Sequence, residues 1–246
     1  MQQLPPDTAI LLFARTAEAE AQHKHLSRGR GASANYRLLK TLVHHAEDVA
    51  QQSGLPVFHI SELEQHGNSF GERLHHAFEQ VYAQGFERVI AIGSDCAHLT
   101  PGMLATAAQQ LHQQGMVLGP ARDGGVYLLG LQQNAFARMD FSAIDWRTGR
   151  VCKQLQNALP SAAMLRILSD IDHTEDLCRV LLSGSLPAKL LRALSAFAPG
   201  NPVHVVPVQE RALSTVDNKY RQTSMGSVVG CLADGRFVPR DTLKTA

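Results

Sequence analysis

The sequence predicts one α/β domain on a mainly parallel sheet flanked by helices, and three observations carry that reading. Residues 8–15 (TAILLFAR) and 88–93 (RVIAIG) are short continuous apolar runs, the composition of strands covered on both faces. Segments of helical apolar spacing alternate with such runs, as a layered sheet with right-handed crossovers requires. The 88–93 run feeds directly into Gly-Ser-Asp, and open α/β sheets bind ligands beyond the carboxyl ends of their strands.

After the first strand, residues 16–32 are polar and contain Gly and His, which predicts a loop. Residues 34–52 carry Leu38, Leu39, Leu42, Val43, Ala46, Val49 and Ala50 on one helical face. Residues 56–60 predict a second strand. A helix follows over 69–84, where Ser69 and Glu72 make a capping box and Leu74, Ala77, Phe78 and Val81 share a face. Beyond the 88–93 strand, Thr100 and Pro101 have the order of an N-cap and a first helical residue. Short strands at 116–118 and 126–131 flank the tight turn Asp123-Gly124-Gly125. A helix near 150–158, a strand near 163–168 and a helix over 174–182, with Glu175 and Asp176 in its first turn, complete the alternation. Residues 1–199 are expected to form the domain. Residues 200–246 are expected to form a C-terminal extension, with a short strand at 203–206 and a hairpin turning at Asp234-Gly235.

The chain has 246 residues, enough for a core that buries about 70–75% of the unfolded surface without a disulfide or structural metal. Its 23 basic and 22 acidic residues are scattered, so no basic stripe points to nucleic acid. The four cysteines form no CxxC pair, which fits thiols in a reducing cytoplasm. The opening residues show neither a signal-peptide pattern nor a membrane span. The twelve histidines include the close pairs His23/His25, His44/His45 and His75/His76, but none has a zinc-site spacing.

Four segments carry the chemistry. Asp95, at the end of the 88–93 strand, stands where a carboxylate can hold Mg²⁺ or Mn²⁺, ions that need few protein oxygens. The plainer alternative is that Asp95 caps a turn. In residues 119–127, two glycines let a ligand approach the backbone, Arg122 can meet phosphate and Asp123 can accept from a sugar hydroxyl. An ordinary hairpin turn explains the same residues. In residues 65–73, backbone N–H groups and Arg73 at a helix start suit an anion, although the capping box alone explains Ser69 and Glu72. In residues 168–174, Asp170 and Asp172 point the same way if extended, as a metal or sugar site would want; capping of the next helix is the alternative.

Together, residues 67–73 (GNSFGER), 93–100 (GSDCAHLT), 118–131 (LGPARDGGVYLLGL), 144–150 (IDWRTGR) and 169–177 (SDIDHTEDL) resemble a family of bacterial GT-A-like glycosyltransferases of the arsenosugar-biosynthesis type. That family is related to nucleotide-diphospho-sugar transferases and small nucleotidyltransferases, and the resemblance covers about residues 8–184. It implies a GT-A-like, Rossmann-related sheet, and glycosyl transfer from a nucleotide sugar with Mg²⁺ or Mn²⁺. Asp95 and Asp172 match the metal positions. Asp123, Asp145 and Asp172 match catalytic positions. Arg15, Lys24, Arg73, Ser94, Arg122, Gly124, Gly125 and Trp146 would contact the nucleotide sugar.

Relatives carry a Pro-x-Pro-Gly-x-x-Lys-Thr-Arg-Leu loop after the first strand, which holds phosphate through backbone and basic side chains. Here residues 17–26 read AEAEAQHKHL; the glycine is absent and Glu18 and Glu20 would repel a diphosphate. Lys24, or Arg28 and Arg30, would have to substitute. A nucleotidyltransferase releasing pyrophosphate and a non-catalytic binding protein on the same fold are the rival expectations. The 200–246 extension offers a surface either to a second copy of the chain or to another partner.

Overall fold

The computed structural model describes residues 7–27, 31–197, 229–231 and 237–239. A six-stranded mixed sheet lies between helices. Its strands are β1 (Thr8–Leu12), β2 (Val57–His59), β3 (Arg88–Ile92), β4 (Met116–Pro120), β5 (Val126–Gln132) and β6 (Ala163–Met164), in the order β2-β1-β3-β5-β4-β6. The pairs β1/β2, β1/β3 and β4/β6 are parallel, and β5 runs antiparallel to β3 and β4. Five strands therefore point one way. The strand order reverses around β1 and β3, which is where such sheets open a crevice for ligands.

The helices are α1 (Ala17–His23), α2 (Gly31–Gln52), α3 (Phe70–Tyr82), α4 (Pro101–Gln114), α5 (Gln133–Phe136), α6 (Val151–Ala158), α7 (Thr174–Leu182) and α8 (Ala188–Ser195). Alternation along β1 divides the core. Ala9 and Leu11 face a layer with α3, α5 and α6, while Ile10 and Leu12 face α2 and α4. A third cluster joins α2, α7 and α8 through Leu38, Leu39, Leu42, Leu177, Val180 and Leu190. None of the described helices is long and apolar enough to cross a membrane.

Local signals set most of these elements. Ser69 caps α3 with both bonds of the capping box made, and Thr100 caps α4 with Pro101 following. Gly115 ends α4 in the left-handed region at φ 74°. Two expectations are corrected. The stretch after β1 is not a loop: Thr16 accepts a hydrogen bond from the Ala19 N–H and starts α1, with Glu18 and Glu20 favourably placed in its first turn. The strand expected over 163–168 pairs with β4 only at Ala163–Met164; the chain returns to the sheet edge at Leu168, which bridges Ala121.

The strands β7 (Val229–Cys231) and β8 (Phe237–Pro239) pair antiparallel on either side of Asp234-Gly235. Those turn residues, the strand expected at 203–206, and Arg28 and Arg30 lie outside the described residues.

Phe78 is fully buried, its ring 5.7 Å from that of Phe136 and 5.9 Å from that of Phe141. Phe78→Ala should cost about 3–5 kcal/mol through lost transfer energy and a cavity. Urea unfolding measures it, and a loss under about 1 kcal/mol would contradict this packing.

Candidate active site

The carboxyl ends of β1, β3 and β4 and the segment after β6 converge on one edge of the sheet. Phe13 continues the β1/β3 ladder, its N–H donating to the Ile92 carbonyl at 2.9 Å. Arg15 follows it, and buried Ser94 and then Asp95 follow β3. The chain beyond Leu168 crosses this edge, and the Ile171 N–H donates to the Asp95 carbonyl at 2.9 Å. That bond brings Asp170 and Asp172 alongside Asp95.

Lys24 closes the arrangement. Its ammonium lies 2.6 Å from Asp95 Oδ1, 2.9 Å from Asp172 Oδ1 and 3.7 Å from Glu20 Oε1, and it donates to the Ile171 carbonyl at 3.1 Å. The backbone that carries Lys24 is pinned from the protein side. Buried Asn35 donates to the Lys24 carbonyl at 2.7 Å and accepts from the Leu26 N–H at 2.8 Å, while Thr174 donates to the Leu26 carbonyl. The Lys24 side chain is only 12% exposed, against 37% for Asp95 and 43% for Asp172. A ligand arriving from solvent therefore meets the carboxylates first, with the ammonium behind them.

Burial alone would depress the Lys24 ammonium; Asp95 and Asp172 more than offset it and hold the group above the ordinary lysine range. Burial pushes the Asp95 carboxyl up against the pull of Lys24, and Asp172 and Glu20 add to the push. Asp170 is raised to about 8 by burial first and by the charges of Asp95, Asp123 and Asp172 next. Its Oδ1 is buried without a hydrogen-bond partner. Burial likewise pushes up the Cys96 thiol beside Asp95, which leaves it a poor nucleophile.

Glu20 is buried and shared by Arg15 at 3.1 Å and Lys24, so it balances charge inside the site rather than facing a ligand as a free anion. Glu18 instead accepts from the Tyr36 hydroxyl at 2.6 Å on the outside. The Asp172 side chain is not consumed in capping α7, because Asp176 accepts from the Asp172 and His173 N–H groups. The capping alternative for residues 168–174 is thus met by another residue.

The remaining expected residues form a rim on the same edge. The 121–125 turn is a hairpin tip in which Asp123 Oδ1 accepts from the Gly125 N–H at 2.8 Å, and Arg122 is exposed. Gly124 has φ 90°, and a Cβ there would meet the Gly149 carbonyl oxygen at 2.1 Å, so the 145–150 loop packs directly on this turn. Asp145 is held within that loop by Arg150 at 3.0 Å and Gln154 at 2.8 Å. The Trp146 indole donates to the Phe141 carbonyl at 2.7 Å and covers Gly71, whose Cβ would lie 2.6 Å from its Nε1. Phe70 joins Trp146 to Phe13 beyond β1, and Arg73 stands half-buried in the first turn of α3. Lys24, Asp95 and Asp172 are therefore in direct contact and Arg15 reaches them through Glu20, while Asp145 is tied to Arg150 and Gln154 and Trp146 to Phe141 and the start of α3.

Glu20 is a member of the site that was not expected from the sequence; Asp170 was expected beside Asp172, but not as a buried carboxyl oxygen without a partner. The spacing of Glu20 and Lys24 shows their pairing only once 17–23 is read as a helix. For a divalent ion the residues fit in kind: the orphaned Asp170 oxygen and the outward carboxylates of Asp95 and Asp172 are unbalanced by Lys24 alone, and such ions need only one or two carboxylates besides phosphate and water. Among the described residues, a group of three ligand atoms within 4.8 Å of one another occurs elsewhere, at His75, His76 and Glu79 on α3.

The family described as "Uncharacterized protein conserved in bacteria (DUF2064)" matches residues 35–148, somewhat under half of the chain. No curated protein matches. Among solved structures, a "putative nucleotide-diphospho-sugar transferase" from Desulfovibrio desulfuricans G20 is similar at 21% identity with a TM-score of 0.62, covering 78% of this chain and 97% of its own. A homologue of Rv0371c from Mycobacterium sp. strain JC1 aligns at 13% identity and a TM-score of 0.46, covering 73% and 98%. Rv0371c of Mycobacterium tuberculosis H37Rv, in complex with manganese, aligns at 13% and 0.44, covering 70% and 97%.

The raised Asp170 carboxyl gives a signed pH effect. Its folded value is about 8 against an ordinary 3.8, so the folded chain holds a proton there that the unfolded chain releases. The associated stability is fully present below about 3.8 and is lost as pH rises through about 8. Thermal unfolding between about pH 5 and pH 9 should show the midpoint falling, and Asp170→Asn should flatten the fall. Equal slopes in the two proteins would rule this out. The similarity to the Desulfovibrio desulfuricans protein is one of fold, which in this chain is a mixed six-stranded α/β sheet flanked by helices.

Proposed function

We propose that this chain transfers a glycosyl group from a nucleotide-diphospho-sugar, with a divalent metal at Asp95 and Asp172. The observation that supports the reading is the charge of the sheet edge. At its centre the carboxylates Asp95, Asp172 and Glu20 outnumber the cations Lys24 and Arg15, and the more exposed groups there are Asp95 and Asp172. A diphosphate approaching those carboxylates is repelled unless a further cation stands between them. A Mg²⁺ or Mn²⁺ ion bound there would offset the phosphate charge and act as a Lewis acid on the leaving diphosphate.

The chain's own residues supply the rest. Asp95 and Asp172 would hold the cation, and Lys24 would contact the nucleotide sugar. Arg122, exposed at the 121–125 turn, and Arg73, at the start of α3, neutralise phosphate oxygens, while Arg15 is committed to Glu20. Asp123 orients a sugar or acceptor hydroxyl through the oxygen that its turn leaves free, and Gly124 and Gly125 let the ligand approach the backbone. Ser94 lies beside the phosphates. Asp145 and Trp146 act through the loop that borders the pocket. The arsenosugar-biosynthesis type is the finer form of this reading. It has a cytoplasmic setting and an extension at 200–246 that offers a surface to a second copy of the chain or to another partner.

A second reading has a specific observation in its favour: Lys24 already bridges Asp95 and Asp172, as a binding protein that had lost its metal would require. A thermal-shift panel of UDP, GDP, CDP, ADP and dTDP sugars and nucleoside triphosphates, with and without Mg²⁺ or Mn²⁺, separates the two. A ligand at about a hundred times its Kd adds about 2.7 kcal/mol, a midpoint rise of about 5–10 °C. The expected result is a metal-dependent rise with one nucleotide sugar that is lost in Asp95→Asn. A rise unaffected by Asp95→Asn would refute the assignment, and pyrophosphate release from a triphosphate would replace it with nucleotidyl transfer.

A further inference from the structure

We propose that Lys24 is a built-in competitor for the metal, so that its ammonium and a divalent ion bind Asp95 and Asp172 at each other's expense. The inference rests on the reading of these carboxylates as the metal-holding pair. The ammonium is placed as a bridging cation would be, in contact with one oxygen from each carboxylate at 2.6 and 2.9 Å. It also takes the Ile171 carbonyl at 3.1 Å, a third oxygen of the same recess. These contacts join two strand-end segments that sequence places far apart, the work that a bridging metal would do.

The lysine is not there by default of a floppy side chain. Asn35 and Thr174 fix the backbone at 24–27, and the side chain is almost enclosed. Glu20 flanks the ammonium on the side of α1, so the three carboxylates Asp95, Asp172 and Glu20 exceed the two cations Lys24 and Arg15. A divalent ion is attracted by that surplus but opposed by the ammonium, because two cations sharing the same carboxylates repel at short range. Once a metal holds Asp95 and Asp172, Lys24 loses those two partners and becomes available to a phosphate oxygen of the donor. Metal and diphosphate then favour each other's binding, since each gains from releasing the same ion pair.

The test measures Mn²⁺ alone, by titration calorimetry and by the electron paramagnetic resonance signal of free Mn²⁺. The proteins are the wild-type chain, Lys24→Met, Lys24→Gln and Lys24→Arg, each with and without Asp95→Asn. Lys24→Met and Lys24→Gln should bind Mn²⁺ at least about tenfold more tightly than wild type, because a unit charge beside the ligands is removed. Lys24→Arg should stay within about threefold of wild type, since its charge is kept. Without metal, Lys24→Met should unfold at a lower temperature, and Mn²⁺ should restore more of its midpoint than it adds to wild type. Lys24→Gln keeps a hydrogen-bond donor and serves if Lys24→Met does not fold. Equal or weaker Mn²⁺ binding in the neutral variants overturns the proposal, as does binding that survives Asp95→Asn and so lies elsewhere, such as at His75, His76 and Glu79. Tighter binding in the neutral variants without any nucleotide-sugar shift would sustain this inference while removing the transferase reading.

Discussion

An ammonium group enclosed by carboxylates organises the functional edge of this protein. Lys24 joins the end of α1, the end of β3 and the crossing segment at 171–172, which are otherwise tied by few bonds. Breaking a buried pair of this kind by removing one partner leaves an uncompensated charge in a poorly solvated place, which costs far more than the pair itself contributes. The recess therefore depends on the lysine, and the lysine depends on the carbonyl and N–H contacts that Asn35 makes beneath it.

The surroundings follow from that charge balance. Glu20 looks hostile to a phosphate ligand in isolation, yet its place between Arg15 and Lys24 makes it part of the protein's own compensation. The same helix that buries Glu20 turns Glu18 outward to Tyr36. The second strand's loop contributes too, since Glu62 accepts from both the N–H and the hydroxyl of Thr16 and so anchors the start of α1. Across the edge, the 145–150 loop is locked to the 121–125 turn by two glycines in close approach and to α3 by Trp146 over Gly71. The rim is consequently a set of mutually supporting loops, while the acidic centre is held by α1, the end of β3 and the segment that crosses it.

Much of this was legible in local patterns. Continuous apolar runs gave the buried strands β1 and β3, and the caps at Ser69 and Thr100 gave the starts of α3 and α4, because those signals act within four residues. Reading 16–32 as a loop failed because its polarity outweighed a short capped helix whose buried face is made largely of alanine and Glu20. The last strand was read too long because an apolar stretch near a sheet edge need not stay paired; only Ala163 and Met164 do, with Leu168 returning as a single bridge.

By itself the sequence determined the layered α/β order, the place of Asp95 at a strand's carboxyl end, and the presence of carboxylates after the last strand. These depend on spacing and on the direction of the chain through the sheet. Only the tertiary structure decided that Lys24, 71 residues before Asp95, would lie between Asp95 and Asp172. It likewise decided that Asp170 would be left without a partner and that Trp146 would close on Gly71. Such relations arise when segments far apart in sequence are packed against each other, and the charge each group carries there is set by neighbours that no local pattern records.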